Sequence, residues 1–529
     1  MIANKNNPFL DIIAAGVNEF KTALDPLRPP EIGLHAYDVG LQNGGKMRIH
    51  LRVEPQGQGV LFVDVTDVVH LNASATLIVK MALDEVPLSI ARSKFLFAYG
   101  AGAFEKINRD LSQLYQMVDQ FRQPTGECPT CMLDGAIDMQ PLFSIGVNAP
   151  YKVDLALTYG CNNECPHCYN EADRLAMPSL PFEEWKKILD KIAAMGVPHV
   201  ILTGGEATLH PDLPDIIHYA DQLGMIVGLN TNGRHIAQEA YMQALADAGL
   251  NHVQVTLGSH LADVHNEMMG AQSFNQTVRG IRNAVASNVH VITNTTLMRS
   301  NMEAAEEIID FLYDLGIRTF AMNGMIYSGG GFEHPLAIKE EEMPPLLIRV
   351  RDHAQKLGMR FLWYTPTEYC RMSPVELEIG AKRCNAGEYS MCIEPNGDVL
   401  PCQSYYVSAG NILSNEWASI WDGELFRSFR DREADPEWAG LPEKCWHCPD
   451  LALCGGGCRI EREARDGVRI SEGGGGGCSG CSGSCGSGEA ASVVRELYPT
   501  AGYIPVPGQV KSSKRTSGKL TLIAADDIK

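Results

Sequence analysis

The chain has 529 residues, 45% of them hydrophobic, and sets 44 Lys and Arg against 64 Asp and Glu for a formal net charge of −20. That length holds about three domains with real cores, and the acidic balance excludes a nucleic-acid surface because no long basic stripe exists to neutralise phosphates; the short run Lys511 to Arg515 reads as a solvated linker. With no stretch of about eighteen apolar residues and no signal-peptide core at Met1-Ile-Ala-Asn-Lys, no membrane partner is expected and the protein is expected to be soluble and cytoplasmic.

Residues 1–125 show no metal-ligand spacing. Strands are expected at Arg48–Val53, Val60–Val65 and Val68–Asn72, with a helix from Ala73. A final helix carries Phe104, Ile107, Leu111, Leu114, Tyr115, Val118 and Phe121 on one face. A small sheet followed by three helices, with Leu71-Asn72 opening the first helix and Asp110 on the last, is similar to PqqD-type peptide-recognition elements. That resemblance implies a leader peptide bound as an added strand; the alternative is an accessory α+β domain that packs on its neighbour. Residues 126–150 form a linker with the pair Cys128–Cys131, either inert or a redox or metal pair.

From 151 to 365, β-rich runs alternate with amphipathic helices. The expected strands are Val153–Tyr159, His199–Thr203, Met225–Asn230, His252–Leu257, His290–Thr296 and Thr319–Met325. Between the first two lies a helical pattern, Phe182, Trp185, Ile188, Leu189 and Ile192, closed by Gly196. Six βα units imply an α/β fold, a partial (β/α)6 barrel with ligands at the C-terminal strand ends. An N-terminal α+β domain and a C-terminal cysteine-rich iron–sulfur domain flank it.

Directly after the first strand comes Cys161-Asn-Asn-Glu-Cys165-Pro-His-Cys168. Three thiolates on one short loop can hold three irons of a [4Fe–4S] cube and leave the fourth iron open. A zinc loop would want a fourth ligand, and His167, between two of the cysteines, is badly placed to share their metal. The second strand runs into Thr203-Gly204-Gly205-Glu206, where two glycines admit close approach and a carboxylate can accept from an ammonium group. Together these motifs resemble the radical S-adenosylmethionine (SAM) enzymes. The resemblance implies that Cys161, Cys165 and Cys168 hold the SAM-binding [4Fe–4S] cluster and that Gly204, Gly205 and Glu206 hold the amino group of SAM. Ala207 stands where family members often have Pro. Further SAM contacts are expected at strand ends: Asn230 and Asn232, Thr256, Asn294, and Met325 or Ile326 beside the adenine, each Asn being equally suited to capping a turn.

A second cysteine-rich region spans 366–486, followed by a tail, 487–529. Cys384-x12-Gly397-x4-Cys402 brackets two strands joined by an Asn-Gly turn, and Cys445-x2-Cys448-x5-Cys454-x3-Cys458 follows. A pair of zinc ribbons would use such cysteines, but the pattern resembles the SPASM extension of radical SAM enzymes, which carries two auxiliary [4Fe–4S] clusters. By that resemblance one cluster uses Cys384, Cys402 and Cys458 with Cys392 as fourth ligand; the other uses Cys445, Cys448, Cys454 and a later cysteine. Cys478, Cys481 and Cys485, after the glycine run Gly473–Gly477, offer that ligand or a further metal site, and Cys370 is left over.

The resemblance implies a radical SAM oxidoreductase that generates a 5′-deoxyadenosyl radical to modify a ribosomally made peptide or protein side chain, by crosslink, thioether or oxidation. Its partners would be that substrate, with a leader peptide, and an electron donor such as flavodoxin or ferredoxin. Two alternatives are a radical SAM enzyme acting on a small molecule in cofactor or tetrapyrrole biosynthesis, and a non-radical iron–sulfur electron-transfer protein.

Overall fold

A computed structural model describes residues 26–40, 46–63, 67–122, 146–287 and 289–470. Cys128, Cys131, Cys478, Cys481, Cys485 and the basic run after Lys511 lie outside the described residues. The described residues divide into two compact units, one reaching Gly146 and one beginning at Val147.

In the first unit, β1 (Gly33–Gly40), β2 (Lys46–Val53), β3 (Gly59–Val63) and β4 (Asp67–Leu71) form an antiparallel meander in chain order. β1 was not apparent from the sequence pattern. Helix Ala73–Leu83 starts where Asn72 predicts, its side-chain oxygen accepting from Ala75 N–H at 2.9 Å, a cap worth about 1 kcal/mol. The next helical stretch, Leu88–Arg122, is interrupted at Gly100 (φ 72°), so three helical segments follow the sheet. Leu111, Leu114, Tyr115, Val118 and Phe121 bury the expected apolar face against Ile49, Leu51 and Val53 of β2.

The second unit is built on one nine-stranded sheet in the order β11-β10-β9-β8-β7-β6-β5-β12-β13. The strands are β5 (Lys152–Thr158), β6 (His199–Gly204), β7 (Ile226–Thr231), β8 (His252–Thr256), β9 (His290–Thr296), β10 (Thr319–Asn323), β11 (Arg360–Trp363), β12 (Ser390–Ile393) and β13 (Val399–Leu400). β5 to β11 are all parallel, and the six expected strands are among them. The sequence pattern missed β11, a four-residue strand whose first three residues are not buried.

One sheet face takes the helices. Trp185, Ile188, Leu189 and Ile192 of helix Phe182–Ala194 are fully buried with Val200, Leu202, Val227 and Leu229, each worth about 1.5–3 kcal/mol relative to exposure. Gly196 takes φ 75° just past that helix, as its C′ position requires. The alternate residues Asn230, Gln254, Thr256, Asn294 and Thr296 are only half-buried, and Thr256 and Asn294 are direct register partners. A polar face therefore stays available at the C-terminal end of the sheet.

The first hairpin of the cysteine-rich region is a continuation of this sheet. β12 pairs in parallel with β5 and antiparallel with β13, and the predicted Asn396-Gly397 turn closes it with Gly397 at φ 89°. Among the described residues no helix is long and apolar enough to cross a membrane.

Candidate active site

The cysteine loop leaves the end of β5 and is fastened to the end of β6 by backbone. Gly205 N–H donates to Thr158 O at 2.7 Å and Glu206 N–H to Gly160 O at 2.9 Å. A Cβ on Gly204 (φ 139°) would meet Thr158 O at 2.0 Å, and one on Gly205 would meet Tyr159 O at 2.4 Å. The two glycines therefore let chain approach chain, and the approach brings the two motifs together.

Glu206 is buried and its carboxylate is fixed by four donors. Oε1 accepts from Thr208 N–H at 3.2 Å, Thr208 Oγ1 at 2.6 Å and Thr231 Oγ1 at 2.6 Å; Oε2 accepts from Asn232 N–H at 2.7 Å. A carboxylate has about four lone-pair sites, about two on each oxygen; Oε1 is filled by its three donors and Oε2 carries one, so a further donor is accommodated at Oε2.

The loop is braced from three further places, two beyond strand ends and one at the C-terminus of helix Ala262–Met269. Asn232 Nδ2 donates to Asn162 Oδ1 at 2.6 Å, and Arg234 Nη1 donates to Asn163 Oδ1 at 2.9 Å and to Asn162 O. Glu164 N–H donates to Met269 O at 3.2 Å, and Gly270 (φ 59°) lies so close that a Cβ would be 2.0 Å from Glu164 O. Beyond β10, Gly330 N–H donates to Cys168 O at 2.7 Å, and a Cβ there would meet Pro166 O at 2.2 Å. Arg234 and the Gly329–Gly331 triplet were not apparent as site residues; a triple glycine at a barrel strand end is the signal that could have found them.

Burial pushes the Cys165 thiol up to about 12, with the Cys168 and Cys161 thiols adding to it, and raises Cys161 and Cys168 as well. Among the described residues no three His, Cys, Asp or Glu side chains converge to hold a single metal ion. The donor set is nonetheless three electrostatically interacting cysteines on a braced loop, Cys165 and Cys168 half-buried and Cys161 exposed, and soft thiolates suit an iron–sulfur cube. Such thiols ionise together when a bound cation takes up their charge. Burial lowers His167 to about 4, with His334 adding to it, so its imidazole stays neutral beside them.

The other expected SAM contacts divide. Asn232 joins the cysteine loop, as above. Asn230, Thr256 and Asn294 sit half-buried on the open face, and Asn294 Oδ1 is buried without a hydrogen-bond partner. Ile326 is half-buried after β10, while Met325 packs with Met268, Met269 and Met298 beside Cys165.

In the C-terminal region Cys458 is electrostatically coupled to Cys384 and Cys402, and Cys392 to Cys402. Cys445 is coupled to Cys454, and Cys448 N–H donates to Cys445 O at 3.2 Å.

A cavity at the C-terminal ends of β10 and β11 is lined by Met325, Tyr327, Glu340, Trp363, Thr365 and Glu461. Met325 belongs both to this lining and to the methionine cluster beside Cys165, so the cavity is one side chain from the cysteine loop. Burial lifts Glu461 well above the usual carboxylate range, and the Glu340 charge and its hydrogen bond add to this against Arg465 and Arg371. The pair thus holds a proton that a lone exposed carboxylate would release, which suits it to acid–base exchange with a bound group.

An open βα barrel with a three-thiol loop fastened to a Gly-Gly-Glu turn has the build of a radical SAM domain. Residues 155–312 match the radical SAM superfamily, and residues 384–449 match the SPASM iron–sulfur cluster-binding domain. A PqqA peptide cyclase of Xanthomonas campestris pv. campestris is 28% identical over 340 residues, covering 61% of this chain and 85% of its own. An AdoMet-dependent heme synthase of Oleidesulfovibrio alaskensis is 27% identical over 356 residues, covering 64% and 90%. Streptococcus suis SuiB, solved with S-adenosylmethionine bound, shares the fold with a TM-score of 0.58 at 19% identity, over 78% of this chain and 95% of its own. The protein carries a radical SAM domain followed by a SPASM domain, and these imply a [4Fe–4S] cluster, SAM and auxiliary iron–sulfur clusters as its cofactors.

Gly205→Ala forces a methyl into the Tyr159 and Gly160 carbonyls. It is expected to destabilise the unit by about 1–3 kcal/mol and to lower iron retained per chain, read by thermal unfolding and iron assay. Glu461 is raised in the folded state, so the native protein binds more protons than the unfolded chain above the ordinary carboxylate pKa, and stability falls as pH rises through that window. Glu461→Gln is expected to flatten the fall of Tm between about pH 5 and pH 8 and to raise Tm at the upper end, measured by calorimetry.

Proposed function

We propose that this radical SAM enzyme is a maturase that modifies a side chain of a ribosomally made peptide or protein. The observation carrying the chemistry is the cysteine loop joined by backbone to the Gly-Gly-Glu turn. The peptide substrate is supported by the SPASM domain together with a relative named PqqA peptide cyclase. In this reading Cys161, Cys165 and Cys168 hold the SAM-binding cluster, and Glu206 Oε2, with Gly204 and Gly205, receives the amino group of SAM. Asn230, Asn232, Thr256, Asn294 and Ile326 line its remaining parts. Cys384, Cys392, Cys402 and Cys458 hold one auxiliary cluster, and Cys445, Cys448 and Cys454 contribute to the other.

When bound, the cluster and SAM supply the hard step, reductive cleavage of a carbon–sulfur bond to a 5′-deoxyadenosyl radical that takes a substrate C–H hydrogen. The chain's part is position and dryness. Arg234 and Asn232 fix the loop, Glu206 presents a preset carboxylate, and Met268, Met269 and Met325 keep water from Cys165. The Glu340–Glu461 pair can give or take the proton that accompanies side-chain oxidation or bond formation.

The partners are the peptide, presented on a leader to the N-terminal unit, and a flavodoxin or ferredoxin as electron donor. The four-stranded sheet has two edge strands, β1 and β4, either of which can accept an added strand. A second reading, a small-molecule enzyme of tetrapyrrole biosynthesis, is favoured by the heme synthase relative.

Reconstituted protein with reductant and SAM is expected to form 5′-deoxyadenosine slowly alone and at least about tenfold faster with its precursor peptide. The Cys161→Ala/Cys165→Ala/Cys168→Ala protein is expected to form none. Stimulation by a porphyrin and by no peptide would select the second reading.

A further inference from the structure

Seven of the eight described cysteines beyond the barrel sort into two groups, and Cys370 is the eighth. Cys384, Cys392, Cys402 and Cys458 are coupled to one another and make four. Cys445, Cys448 and Cys454 make three, one short of the four thiolates that fully ligate a [4Fe–4S] cube.

The segment Thr367–Cys370 lies against this second group. Tyr369 N–H donates to Cys454 Sγ at 3.3 Å, and Cys454 Sγ donates to Thr367 O at 3.6 Å. Gly457 (φ 68°) packs so tightly that a Cβ would come within 2.8 Å of Glu368 N. Cys370 follows two residues after Glu368. Its sulfur accepts from Lys444 Nζ at 3.6 Å, on the residue directly before Cys445, and Lys444 also pairs with Glu368 Oε1 at 3.2 Å. Cys370 and Cys454 are near enough to interact electrostatically. Cys370 is exposed and makes no disulfide, so its thiol can turn toward a cluster without breaking core packing.

We infer that Cys370 is the fourth protein ligand of the cluster held by Cys445, Cys448 and Cys454. This rests on reading those three as ligands of one cluster. The inference assigns a cysteine upstream of the SPASM pattern, in place of one from Cys478, Cys481 or Cys485. Lys444 fits the role: an ammonium donating to a ligating thiolate offsets its charge, and hydrogen bonds to cluster sulfur tune the potential.

The test is iron content and low-temperature EPR of full-length, anaerobically reconstituted, reduced protein. Three cubes hold about twelve irons at four each. Cys448→Ala is expected to lose about four irons and one EPR component, and Cys370→Ala the same four and the same component. Cys370→Ser, with oxygen in place of sulfur, is expected to keep that component with shifted g values, which a misfolded domain would not produce. In Cys478→Ala/Cys481→Ala/Cys485→Ala the component is expected to persist unshifted. If Cys448→Ala loses nothing, the reading of the three cysteines fails. If Cys448→Ala loses the component while Cys370→Ala or Cys370→Ser leaves it unchanged, or if the triple variant removes it, the inference about Cys370 fails alone.

Discussion

The constraint on which the site depends is the backbone junction between the ends of β5 and β6. Two N–H groups, of Gly205 and Glu206, donate to Thr158 O and Gly160 O, and any side chain at 204 or 205 would collide with those carbonyls. The junction fixes where the cysteine loop begins and, in the same turn, where the Glu206 carboxylate points. A glycine pair placed only to admit a ligand would have left loop and carboxylate independent; here, moving one moves the other. The four donors on Glu206 fix where its carboxylate points, and Oε2 keeps a lone-pair site for an incoming ammonium group.

The same scaffold carries the second metal-binding region. β12 extends the barrel sheet alongside β5, and buried polar contacts lock the two regions together just beyond it. Tyr159 OH donates to Glu394 Oε1 at 2.9 Å, Arg174 Nη1 donates to both Glu394 oxygens at 2.7 and 2.8 Å, and Tyr406 OH donates to Asn170 Oδ1 at 2.9 Å. Tyr169, directly after Cys168, senses both Cys168 and Cys392. Tyr406, buried beside it, senses the same two cysteines, so buried aromatic residues lie next to both cysteine groups.

Much of this was legible in the sequence because it is local. Strand ends, the helix Phe182–Ala194, the Asn72 cap and the Asn396-Gly397 turn follow from period, capping and turn chemistry over a few residues. The cysteine spacing is legible for the same reason. What escaped is non-local. Arg234 lies about seventy residues from the loop it pins, and as a single arginine after a strand it has no spacing to betray it. Gly329–Gly331 shows its role only once Cys168 O and Pro166 O are found against it. β11 and the hairpin β12–β13 are short edge elements whose place in the sheet is decided by partners far away in the chain. Glu340, within the run Glu340-Glu-Glu342, has the look of a solvated acidic turn, and only tertiary packing shows that it is buried against Glu461.

That buried acid pair has an energetic logic of its own. Arg371 reaches Glu340 at 2.9 Å, Arg465 reaches Glu340 at 3.6 Å and Glu461 at 3.4 Å, and Lys444 reaches Glu368 at 3.2 Å. Arg371, Arg465 and Lys444 face Glu340, Glu461 and Glu368, and Arg371 also pairs with Glu341, yet burial still outweighs the cations at Glu461 and lifts it well above the usual carboxylate range. A purely structural cluster would be more stable with an apolar residue or an amide at that position, because a buried carboxyl that resists ionisation costs the fold at neutral pH. The carboxyl lines the cavity one methionine away from the cysteine loop. Trp363, on the same wall, keeps its indole N–H buried with no partner among the described residues, a polar group that the fold leaves unsatisfied. A carboxyl that resists ionisation and an indole donor without a partner, lining one cavity, are explained together if the cavity takes a bound substrate, the indole N–H being the donor the protein leaves open.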